Sequence, residues 1–225
     1  MLQIKHMDIQ VFRRFFAIAL LCAGLGVGLG VGLAANSHAA FAKPGDASAF
    51  IADLGKQAVS VLQSTGKDLE ARESAFRQLL TDKFDLKLIG RFSLGRYWRT
   101  ASAAQRNDYL GLFSEYVLQA YASRLGGYAG EKLVVVLETP LSNKKDFYVK
   151  SEIRRPSGPP IKATWRVRTA KDGGMRIIDI MVEGISMAVT QRDQFAAVVR
   201  RDGFNGLMAV LRARTDKMPV TTAAK

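Results

Sequence analysis

From Ala47 onward the apolar positions of this chain keep two different periods, a helical one in the first half and a strand one in the second. Ala47, Phe50, Ile51, Leu54, Ala58, Val61 and Leu62 share one face of a predicted helix. A second helix is predicted from near Asp68, carrying Phe76, Leu79 and Leu80. Phe84 to Trp98 is shorter and less regular, with glycines at 90 and 95. Ser102 and Gln105 have the spacing of a capping box. Behind them Tyr109, Leu112, Phe113, Tyr116, Val117, Ala120 and Tyr121 form the clearest amphipathic stripe, which the pair Gly126 and Gly127 is expected to end.

The second half changes register. Leu133 to Leu137 is a short apolar run of the kind a buried strand makes. Phe147, Val149, Ser151 and Ile153 alternate with Tyr148, Lys150, Glu152 and Arg154. After the turn at Pro156 to Pro160, Ile161, Ala163, Trp165 and Val167 alternate with Lys162, Thr164, Arg166 and Arg168. Met175 to Glu183 follows Asp172, Gly173 and Gly174 as a fourth strand, with Ile178, Ile180 and Val182 on its core face. Alternation of this kind puts one face on a core and the other in water, and the short turns imply an antiparallel meander. Two helices close the chain. The first is expected to start at Thr190, with Asp193 completing its cap, and the second carries Phe204, Leu207, Met208 and Leu211. The predicted fold is α+β, a four-stranded antiparallel curved sheet wrapped by helices. Such a fold encloses either a packed core or a ligand cavity.

The segment before Ala47 reads differently. Arg13 and Arg14 precede an apolar run from Phe15 to Leu33, and small residues follow from Ala34 to Ala40. This is the pattern of a secretory signal, with cleavage expected after Ala39 or Ala42. An uncleaved membrane anchor is the alternative, because the run approaches the roughly 20 residues that span a bilayer. Both a Sec and a twin-arginine signal fit the basic pair. The expected organisation is therefore a signal over 1–42, one domain over 43–215 and a flexible tail over 216–225.

This division decides the available chemistry. His6, His38 and Cys22 are the only histidines and the only cysteine, and all lie in the signal. The mature chain then has no Ser-His-Asp triad, no Cys-His pair and no His- or Cys-based zinc site. Carboxylates, lysines and tyrosines remain. Asp179 and Glu183 share one face of the fourth strand, and a structural role suits them better than acid-base work. The full chain carries a net charge of +13, and losing Lys5, Asp8, Arg13 and Arg14 with the signal leaves about +11. That balance suits an anionic membrane surface, lipid head group or acidic protein, and no ribonucleoprotein motif points to nucleic acid. Arg91, Arg96 and Arg99 surround Tyr97 and Trp98, a cluster that could meet a phosphate head group or simply pack. Arg166 and Arg168 belong to a basic sheet face that could dock a partner or stand in solvent.

The run Arg91-Phe-Ser-Leu-Gly-Arg-Tyr-Trp98, the Arg106-x-x-Tyr109 helix, and Tyr128-Ala-Gly-Glu131 resemble the MlaC family. So do Val182-Glu-Gly-Ile-Ser-Met187 and Thr190-Gln-Arg-Asp-Gln-Phe195. The resemblance covers about Ala47 to Arg214 and takes in toluene-tolerance auxiliary components and a hopanoid-associated branch, HpnM. It implies an NTF2-like fold with an apolar cavity and a periplasmic, monomeric carrier of phospholipid or a hopanoid-type lipid. It also implies partners, namely an inner-membrane ABC transporter complex with an MCE-domain subunit and an outer-membrane lipoprotein complex. It implies no enzymatic activity and no cofactor, the bound lipid being cargo. The matched positions Leu94, Gly95, Trp98, Gly130, Glu131, Asp179, Glu183, Gly184 and Ser186 are expected to define the fold.

The cavity lining is assigned by apolar face alone. It takes Phe84, Leu88, Phe92, Leu94, Trp98, Tyr109, Phe113, Tyr116, Val117 and Tyr121 from the helices. From the strands it takes Val134, Val136, Phe147, Val149, Ile153, Trp165, Val167, Ile178, Ile180 and Val182. Arg91, Arg96, Arg99, Arg166 and Arg168 are the head-group or docking candidates. A small cavity enzyme using Asp or Tyr, and a structural adaptor with a filled core, are the competing readings. N-terminal sequencing of the exported protein is expected to start at Ala40 or Lys43, whereas an intact Met1 would identify an anchor.

Overall fold

A computed structural model describes residues 45–63, 69–122, 130–143 and 145–216. The expected signal, the glycine pair at 126 and 127, and the expected tail from Lys217 lie outside the described residues. Helix α1 spans Asp46–Gln63, α2 Leu69–Lys83 and α3 Leu86–Leu94. A single turn, α4, covers Tyr97–Thr100, and α5 runs over Ala103–Ala122. The sheet follows with β1 Lys132–Pro140, β2 Asp146–Arg154, β3 Ile161–Thr169, β4 Met175–Val182 and a two-residue β5, Ile185–Ser186. Helix α6, Met187–Asp216, closes the chain.

The strands pair antiparallel in chain order, β1 to β5. The expected meander is present, with one more strand than the alternation announced. Glu183 and Gly184, at φ 48° and 83°, make a two-residue turn that folds β5 back on β4. Val182 pairs with Ile185 and Met181 with Ser186. Two residues are too few to display a period, so this strand was invisible in the pattern. Glu183 also closes the neighbouring strand, accepting the Lys162 N–H at 2.8 Å through its side chain.

Two departures from alternation decide which strand residues face inward. In β1 the register slips between Val135 and Leu137, a bulge that leaves Val136 extra. Leu133 is buried and Val135 packs on the core, while Val136 is 59% exposed. In β4 a second slip lies between the Arg166–Asp179 and Val167–Ile177 pairs and leaves Ile178 extra. Ile177 thereby joins the core with Ile180 and Val182, and Ile178 is buried outside that cluster.

The capping box is formed as expected. The Ser102 N–H donates to Gln105 Oε1 at 2.9 Å, and the Gln105 N–H to Ser102 Oγ at 3.1 Å. Helix α1 is capped from a distance instead, by Glu138 of β1, whose two oxygens accept the Gly45 and Ser48 N–H groups at 2.9 and 2.7 Å. The closing helix starts at Met187, three residues before the expected Thr190. Asp179 Oδ1 accepts the Ala188 N–H at 3.0 Å, and Ser186 Oγ accepts the Val189 N–H at 3.1 Å. A carboxylate from β4 thus does the capping that Asp193 was expected to complete. The helix breaks at Gly203, φ 71° and ψ 179°, a conformation open essentially to glycine alone. The break separates the two predicted closing helices.

Apolar burial falls into two cores. One packs α1 and α2 on the sheet, with Ile51, Leu54, Leu80, Val149, Ile153, Trp165 and Val167 among its members. The other is helical, built from Leu94, Tyr109, Phe113, Tyr116, Phe195, Leu207, Met208 and Leu211. In it the Phe195 ring meets Tyr109 and Phe113 edge-on, at 6.2 Å in each case, a favoured aromatic geometry.

Asp146 at the start of β2 is fully buried and takes both Arg166 and Arg168, the shortest contacts being 2.7 and 2.6 Å. Burial pushes its carboxyl up, but hydrogen bonds from Arg168, Arg166 and Asn143 outweigh this and hold it at about 2. The unfolded carboxyl titrates near 3.8. The stabilisation is therefore complete above pH 4 and is lost as pH falls from about 4 to about 2. Asp146→Asn is expected to cost about 2 kcal/mol at pH 7. Urea denaturation should show the deficit vanishing as pH approaches 2.

Candidate functional site

A half-open, largely apolar cavity lies where the two cores meet. Leu80 of α2, Phe84, and Leu86, Ile89 and Ser93 of α3 line it, with Phe113 and Val117 of α5. Asp179 and Ile180 of β4 and Met187, Ala188 and Gln191 of α6 complete the wall. Leu80, Phe84, Leu86, Ile180 and Met187 belong to the sheet core and Phe113 to the helical core. Ile89 and Val117 pack against both. The cavity is thus a seam between two hydrophobic bodies. The empty space there, solvent in the open mouth included, is about 550 Å³. The centre of a water-sized sphere can occupy only about 60 Å³ of it.

Backbone and caps hold each wall. Phe84 bridges to Ile177, and the Asp85 N–H donates to the Ile177 carbonyl at 3.0 Å. The Asp85 carboxylate then caps α3 through the Leu88 N–H at 2.8 Å. This places Leu86, Ile89 and Ser93 beside β4. Across the seam, Asp179 Oδ2 accepts from Ser186 Oγ at 2.6 Å while Oδ1 caps α6. This places Met187, Ala188 and Gln191. Gly90 lets α3 and α5 touch, because a β-carbon there would stand 2.8 Å from the Phe113 ring. The buried Tyr109 hydroxyl donates to the Gly90 carbonyl at 2.9 Å, and burial pushes that phenol far above its ordinary value.

Of the lining residues expected from the sequence, the structure brings Phe84, Phe113, Val117 and Ile180 to the cavity. Leu94, Tyr109 and Tyr116 sit in the helical core. Phe147, Val149, Ile153, Trp165, Val167 and Val182 fill the sheet core, where the Trp165 indole donates to Ser151 Oγ at 2.9 Å. Leu88, Trp98 and Val134 are half-buried, and Ile178 is buried outside both cores. The Tyr121 side chain lies outside the described residues.

Phe92 and Val136 are at the surface, outside the cavity described above. Phe92 is 42% exposed under the Arg192 guanidinium, 5.2 Å from the ring centre. Val136 had no readable parity, because an unbroken apolar run carries no alternation. Leu80, Leu86, Ile89 and Met187 were missed because several helical faces were equally apolar. Ser93, Asp179 and Gln191 were missed because an apolar-face criterion excludes polar lining by construction.

Four of the five candidate cations are engaged within the fold. Arg166 and Arg168 serve Asp146. Arg91 and Arg106 lie over Trp98, 5.7 and 5.4 Å from its ring centre, and Arg96 lies over Tyr97 at 5.0 Å. Arg106 also donates to the Trp98 carbonyl at 2.8 Å. Arg99 is exposed, and its carbonyl accepts from Arg106 at 3.3 Å. Among the described residues no cluster of His, Cys, Asp or Glu could hold a metal ion. No described helix is long and apolar enough to cross a membrane.

Three comparisons bear on this site. The family model described as MlaC protein matches residues 53–213. The intermembrane phospholipid transport system binding protein MlaC of Haemophilus influenzae is 25% identical over 130 residues, 57% of this chain. The match spans 61% of that relative's length. A solved phospholipid-binding protein from Ralstonia solanacearum, in complex with a phospholipid, has the same fold at a TM-score of 0.59 and 22% identity. That likeness covers 71% of this chain and 87% of the other.

Asp179→Ala is expected to lower stability by about 1–3 kcal/mol, because it uncaps α6 and strips the Ser186 hydroxyl of its acceptor. Gly90→Ala is expected to cost about 1–3 kcal/mol by driving a methyl into Phe113. Thermal denaturation of each variant measures both effects.

Proposed function

The chain belongs to the MlaC family, and on that premise we propose that it is a periplasmic carrier that buries phospholipid acyl chains in the seam cavity. The observation that carries this reading is the position of the cavity. It lies between two separately packed cores and is walled mainly by Leu, Ile, Phe, Met and Val side chains. Each buried methylene contributes about 0.8 kcal/mol, so a long acyl chain is held by the wall without any polar contact. The interior space is small, about 60 Å³ for the centre of a water-sized sphere, so loading is proposed to widen the seam. The α3–α4 segment, Gly90 to Trp98, is the proposed mover, since Gly95 ends α3 at φ 58° and frees the chain direction.

The name of the Haemophilus relative and the ligand of the Ralstonia protein support phospholipid as cargo. The proposed route runs between an inner-membrane ABC transporter complex with an MCE-domain subunit and an outer-membrane lipoprotein complex. The work is burial and release, so it asks for no nucleophile and no cofactor.

Native mass spectrometry of the purified protein is expected to find co-purified phospholipid, and a hopanoid in its place would reassign the cargo. Ala188→Phe, which thrusts a ring into the cavity, should reduce uptake of labelled phospholipid about tenfold while circular dichroism stays unchanged. Absence of any lipid, with no uptake by the unaltered protein, would defeat the carrier reading.

A further inference from the structure

The cavity wall contains two polar atoms that the apolar account of lipid burial does not use. Ser93 is 0% exposed and Gln191 5% exposed, and both line the cavity. Ser93 Oγ and Gln191 Nε2 have no hydrogen-bond partner in the described structure. Leaving such a group buried and unsatisfied costs enough that native proteins rarely do so without a partner from outside the chain.

The orientation of the Gln191 amide follows from its neighbours. Arg214 Nη1 donates to the Tyr116 hydroxyl at 3.3 Å, and a guanidinium can only donate. The Tyr116 hydroxyl in turn donates to Gln191 Oε1, 3.5 Å away. The relay turns the carbonyl end of the amide toward Tyr116 and leaves the NH₂ end as the unpartnered donor. Ser93 can donate as well, so the pair asks for an acceptor.

The acceptor is a neutral one. Among the described residues no Arg or Lys lines the cavity, and Asp179, which does, presents a carboxylate. A phosphate would meet repulsion there and find no cation. An ester carbonyl oxygen carries no charge and sits where acyl chains begin. We propose that Ser93 Oγ and Gln191 Nε2 form a buried polar subsite that takes an acyl-ester carbonyl of the bound lipid and sets how deep its chains enter. The proposal rests on the carrier reading and adds a chemical requirement to it, that the cargo be ester-linked.

The test compares diacyl phosphatidylglycerol with its dialkyl-ether analogue of equal chain length, competing for the full chain and read by native mass spectrometry. The unaltered protein is expected to hold the ester lipid at least about fivefold more tightly. In the double variant Ser93→Ala, Gln191→Met the ratio is expected to fall to about one. Equal binding by the unaltered protein would overturn the subsite, whether or not the variant folds. So would a preference that survives the double substitution. Binding of neither lipid would instead sink the carrier reading, and the subsite with it.

Discussion

The arrangement depends most on one carboxylate. Asp179 stands in β4, opposite Arg166 of β3, and its side chain leaves the sheet to start α6. One oxygen takes the Ala188 N–H and the other takes the Ser186 hydroxyl, which itself caps Val189. A helix start offers unsatisfied N–H groups and a partial positive charge, so an anchored anion fixes both its position and its direction. Met187, Ala188 and Gln191 become a cavity wall by that act alone, and Phe195, two turns on, reaches the aromatic cluster. Sheet, cavity and helical core are referenced to the same side chain.

Packing then explains how a stable domain can keep a soft place. Trp165 and Ile51 on one side, and Tyr109, Phe113 and Leu211 on the other, are close to fully buried. Each body satisfies its own apolar surface. Ile89 and Val117 pack against both bodies at the seam between them.

The positive charge is distributed in a way that composition does not reveal. Arg166, Arg168, Arg91, Arg96 and Arg192 are each placed on a carboxylate or an aromatic ring. Guanidinium suits both tasks, since its planar fork chelates carboxylates and stacks on rings. The basic sheet face legible in β3 is for this reason partly a structural device, anchored on the buried Asp146.

By itself the sequence determined the α+β class, the four long strands, the Ser102 capping box and the family, because these rest on local period, local hydrogen bonds and motif order. It also named Phe84, Phe113, Val117 and Ile180, which the structure brings to the candidate cavity. Tertiary structure decided the rest. The bulges at Val136 and in β4 changed which residues face inward, and nothing local to a run of apolar side chains announces a bulge. Glu138 and Asp179 cap helices about 90 and nine residues away in sequence, contacts that exist only once the sheet has formed. The cavity arises where two cores meet, and its polar members Ser93 and Gln191 look in sequence like ordinary helix-surface residues. Periodicity reports which face of an element is apolar, and only packing reports what that face is pressed against.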